Sequence, residues 1–157
     1  LALGVEPVDE NIMTHKPQGK NAALFSKNSW RRIVVEGCFI GAISILAFTI
    51  GRVFFDVSKT PIVGRTMSFA VLSLSQLVHS FNIKSEKSLF KINIFSNMKL
   101  IYSFILGTIL QVAVISVPSL SVIFKTANLN LSQWLIVSLL SLSPLLIVEL
   151  EKFLSRT

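Results

Sequence analysis

Four apolar runs separated by polar links limit what this chain can fold into more than any single residue does. The first, Ile33 to Phe55, has 23 residues and only Glu36 and Arg52 as formal charges. As a helix it would reach about 34 Å at 1.5 Å per residue, enough to cross a bilayer. The others run from about Ile62 to Asn82, Met98 to Val117 and Gln133 to Leu150. In hydrocarbon every backbone N–H and C=O must be satisfied internally. The expectation is therefore an all-α membrane protein, a bundle of four transmembrane helices.

Composition agrees: 52% of residues are hydrophobic, 15% are charged and the mean hydropathy is +0.68, outside the range of ordinary soluble domains. The net charge of +7 raises nucleic acid as a partner, but the basic residues flank apolar runs and form no patch interleaved with aromatics. Membrane topology accounts for them. With four spans both termini share a side, and that side with the middle link holds eleven Lys and Arg against four on the other. Basic residues concentrate in the cytoplasm, so both termini are expected there, in a multi-pass protein of the cell membrane.

Residues 1–32 read as a polar cytoplasmic loop leading from a preceding membrane helix, and 33–157 as the four-helix membrane domain. The chain opens without an initiator Met or a signal segment and reads as a piece of a longer protein. Asp56 to Pro61 is a short turn, with Pro61 suited to the first turn of the next helix. Ile83 to Ser96 is a Lys-bearing link, Pro118 stops the third run, and a loop then extends to Leu131. Ser132 is the expected N-cap of the last run, and Pro144 is expected to kink it.

The second run carries Ser73, Gln76, His79 and Ser80 at spacings of three and four, so on a helix they share one face. Such groups need partners on another helix, a ligand or water. Gln76 lies about two turns inside the span, where interhelical hydrogen bonding and ion or solute ligation are both open. His79 has no second metal ligand at helical spacing and reads as structural. Gly37 and Gly41 form a GxxxG pair that lets another helix approach closely. Glu36, one turn inside the first span, can snorkel to the headgroups or pair with an arginine. Glu149 and Glu151 take the same reading at the last span's end. Cys38, the lone cysteine, reads as a small packing residue. No phosphate-cradling glycine loop, Ser/His/Asp constellation or paired carboxylate set is present, so this stretch carries no covalent chemistry.

The motifs, taken in order, resemble the C-terminal membrane region of P-type calcium-transporting ATPases. ALGVEPVDENIM with Lys16 and Pro17 is similar to the segment linking that family's sixth and seventh membrane helices, and GCFIG at Gly37 to Gly41 to the seventh. RTMSFAVLSLSQLVHSFNIKS resembles the eighth, NMKLIYS the start of the ninth, and LSQWL and ELEKF the two ends of the tenth. The resemblance covers essentially the whole chain.

It implies part of an ATP-driven pump exporting Ca2+ from the cytoplasm. ATP, Mg2+ and the phosphorylated aspartate would belong to the full-length protein, with no cofactor bound to this stretch. The partners implied are upstream membrane helices, packed against Gly37 and Gly41, and cytoplasmic domains of the same pump. The loop carrying Glu6, Pro7, Asp9, Met13, Lys16 and Pro17 would couple membrane movement to phosphorylation. Gln76 matches the one position in these helices that the family uses as an ion ligand, typically acidic in members carrying two Ca2+. A neutral amide is a poorer ligand for a hard divalent cation, which implies one ion per cycle. A non-enzymatic four-helix scaffold and a pump for another cation are the alternatives.

Overall fold

A computed structural model describes residues 27–56, 60–83 and 98–154. The coupling-loop residues Glu6, Pro7, Asp9, Met13, Lys16 and Pro17, and the link from 84 to 97, lie outside the described residues. The described chain is all helical, with no strands: α1 (Lys27–Ile50), α2 (Ile62–Ile83), α3 (Met98–Ser116), α4 (Pro118–Phe124) and α5 (Leu131–Leu154). Ile33–Phe55 and Met98–Ser116 are long and apolar enough to cross a membrane, and Leu131–Leu145 forms a shorter apolar helix.

The helix α2 is the hub: α1, α3 and α5 all pack on it, and α1 also meets α5. The core joins Ile43 and Ala47 of α1, Met67, Ala70 and Val71 of α2, Ile115 of α3 and Val137 of α5. Spacings of three and four put each helix's contributors on one stripe. Outward faces are apolar too: Ile45 is 68% exposed and Leu139 71%. In water such surface would be driven together, whereas hydrocarbon solvates it at no cost.

Where α1 ends, the backbone widens into a π-helical turn over Gly51–Phe55, closed by the Asp56 N–H donating to Gly51 O at 3.0 Å. The Asp56 carboxylate then accepts from the N–H groups of Val63 and Gly64, both at 2.9 Å. It satisfies two orphan donors of α2 and places a negative charge at that helix's positive end. The Asp56 carboxylate thereby fastens the end of α1 to the start of α2, while residues 57–59 of the expected turn lie outside the described residues.

Two local expectations change, and the backbone at Pro144 finds a substitute hydrogen bond. The stretch after Pro118 is not all loop, because the proline occupies the first turn of the short α4, where its missing N–H costs nothing. Ser132 is not the N-cap of α5. That helix begins at Leu131, so Asn130 caps it, and Gln133 Oε1 accepts from the Asn130 N–H at 2.7 Å in the reciprocal half of a capping box. Helix α5 continues through Pro144. The Leu140 carbonyl, which would ordinarily accept from the N–H of residue 144, accepts instead from the Ser143 hydroxyl at 2.7 Å.

Candidate functional site

The helix α2 positions the candidate polar residues, and packing divides them. Ser73, His79 and Ser80 are half-buried, whereas Gln76 is exposed and turned out of the bundle. The Ser80 hydroxyl folds back on Leu77 O at 2.6 Å, so its hydrogen bond stays local. The buried serine of this helix is Ser75, which the three-and-four spacing misses because it lies on the core stripe with Val71.

Glu36 pairs across helices with a histidine. Glu36 Oε2 lies 3.2 Å from His79 Nε2, and both side chains are only 12% exposed. The contact ties α1 to α2 where the sequence offered headgroups or an arginine for Glu36 and a separate structural role for His79. No periodicity argument pairs residues on different spans, so the link was not readable beforehand. It also gives the imidazole a carboxylate partner, and no cluster of three metal-ligating side chains occurs among the described residues. Cys38 is an exposed thiol on α1.

Several buried polar atoms lack a hydrogen-bond partner among the described residues: Ser75 Oγ, His79 Nδ1, Thr108 Oγ1 and Gln111 Nε2. They belong to α2 and α3. An unpartnered buried polar group costs about 1–3 kcal/mol.

Close helix approach occurs at an unexpected place. A Cβ at Gly51 would lie 2.5 Å from Gly64 Cα, and one at Gly64 would lie 2.7 Å from Phe48 O. These two glycines let the end of α1 and the start of α2 touch backbone to backbone. At Gly37 and Gly41 nothing among the described residues comes within 4 Å of an added Cβ. The GxxxG face is therefore not used by the chain's own described helices.

Helices with apolar outer faces around a few buried polar contacts define a membrane-embedded helical domain. Residues 1–154 match the family model described as cation transporting ATPase, C-terminus, and the chain belongs to that family. It is 39% identical to calcium-transporting ATPase 1 of Bacillus cereus, an alignment covering 99% of this chain and 19% of that protein. The calcium-transporting ATPase of Bacillus subtilis is 33% identical over 92% of this chain and 16% of the relative. The human calcium-transporting ATPase type 2C member 1 is 29% identical over 99% and 17%. The chain thus spans no more than about a fifth of the length of these relatives.

Proposed function

We propose that this chain is the C-terminal membrane domain of an ATP-driven P-type pump that exports Ca2+ from the cytoplasm. Near-complete alignment of the chain with calcium-transporting ATPases carries the reading. The domain crosses the cell membrane four times, by α1 with its π turn, α2, α3 and α5, and keeps both termini in the cytoplasm. Its share of the work is support. The Gly37 and Gly41 face of α1 receives a helix from outside this chain, and the loop from Glu6 to Pro17 couples the membrane part to the phosphorylation domain. ATP and Mg2+ act in that remainder, and Ca2+ is the cargo.

Gln76 stands at the edge of the ion cavity. Its exposure in the four-helix unit supports this role, because a deeply placed amide turned out of its own bundle needs a partner elsewhere. A neutral oxygen orients a divalent ion without neutralising it, so one Ca2+ moves per cycle. The test is ATP-dependent 45Ca2+ uptake by the full-length protein in sealed vesicles. Gln76→Ala is expected to weaken Ca2+-stimulated activity by less than the loss of a carboxylate ligand in the upstream ion-binding helices. Abolished Ca2+-dependent phosphorylation in a folded Gln76→Ala pump would overturn the assignment of Gln76 to the cavity edge, and absence of Ca2+ uptake by the wild type would overturn the calcium reading.

A further inference from the structure

Where α2 begins and α4 ends, the surface holds a cleft of about 250 Å³ lined by Arg65, Thr66, Phe69, Phe124, Lys125 and Thr126. Its hydroxyls are already committed. Thr66 Oγ1 donates to Ile62 O at 2.8 Å and accepts from the Ala127 N–H at 2.9 Å, while Thr126 Oγ1 donates to Val114 O at 3.1 Å. These bonds stitch α2, α3 and the segment after α4 into a fixed floor. The two cations remain available: Arg65 and Lys125 are exposed, and neither has an ion pair among the described residues. Asp56, the described carboxylate nearest Arg65 in sequence, is held by the amides of Val63 and Gly64.

The walls say which anion fits. Phe69 lies one turn deeper on α2 than Arg65 and on the same face. Beside Lys125 run Val122, Ile123 and Phe124, exposed by 77%, 71% and 54%. Lys125 itself has φ 52°, a left-handed conformation that glycine adopts more readily, yet the position carries a long cation. A free anion would use the cations and leave the aromatic walls idle. We propose that the cleft holds the phosphate of an anionic phospholipid between Arg65 and Lys125, with an acyl chain along Phe69 and Phe124. The inference rests on the membrane placement above, which sets α4 at the bilayer surface, and goes beyond the pumping reading.

The test uses the full-length protein in phosphatidylcholine nanodiscs containing phosphatidylglycerol, with retained lipid counted by native mass spectrometry. No ATP or Ca2+ is added, so the result is independent of whether the protein pumps calcium. The wild type should retain phosphatidylglycerol in preference to phosphatidylcholine. Arg65→Gln and Lys125→Gln should each lower that retention about fivefold, the effect of about 1 kcal/mol per interfacial cation. The charge-preserving Arg65→Lys and Lys125→Arg should keep it and control for folding. Arg52→Gln, which removes an exposed cation outside the cleft, should leave it unchanged. Unaltered retention in both glutamine variants, or an equal loss with Arg52→Gln, would overturn the proposal. Displacement of the lipid by millimolar inorganic phosphate would overturn the lipid assignment and mark a free-phosphate site instead.

Discussion

Single atoms decide how α1 and α2 meet. At Gly64 an added methyl would meet the Phe48 carbonyl oxygen and the Arg52 backbone nitrogen, and at Gly51 the Gly64 backbone itself. None of these is the far end of a flexible side chain, so relief requires the helices to move apart. Overpacking of this kind typically costs about 1–3 kcal/mol. Gly64→Ala should therefore lower the thermal unfolding midpoint of the full-length protein, and Gly51→Ala should do the same. Unchanged melting in both would show that the crossing is looser than these distances imply. GxxxG spacing finds glycines along one helix, whereas Gly51 and Gly64 face each other from two helices, and only the fold brings them together.

Among the helices, α5 shows how an unfavourable residue is accommodated. Pro144 is buried and removes one backbone donor, and Ser143 replaces it at the Leu140 carbonyl. A double-mutant cycle isolates that role. Ser143→Ala should destabilise the wild-type protein by about 1 kcal/mol, the usual worth of one hydrogen bond. In a Pro144→Ala background, where residue 144 regains its N–H, the same change should cost much less. Equal costs in both backgrounds would separate Ser143 from the proline. The element boundaries divide in the same physical way. Runs of apolar residues announced α1, α2, α3 and α5, because the length and hydropathy of a run can be read along the sequence. The short α4 and the cap at Asn130 depend on local hydrogen bonds that hydropathy does not register. The Glu36–His79 pair is less readable still, since it joins two helices whose register follows from packing alone.

The assembled molecule leaves one surface unexplained by its own helices. Around α2 the contacts are dense, but on α1 a Cβ added at Gly37 or Gly41 would meet nothing among the described residues within 4 Å, and Gln76 on α2 looks outward. A small-residue stripe in a bilayer gains by admitting another helix, since lipid packs equally well against larger side chains. A carboxamide facing outward gains by meeting a polar partner there. Both features suit a helix from outside the described residues, and which face of α1 is left for it is readable only once the internal packing is assigned to Gly51 and Gly64. The two faces make different demands on substitution. Gly37→Leu/Gly41→Leu should disturb no contact within the described chain, yet fill the space an outside helix needs, at about 1–3 kcal/mol. The full-length double variant should melt earlier than the wild type and take up less 45Ca2+. A double variant that melts and pumps like the wild type would return this face of α1 to the lipid.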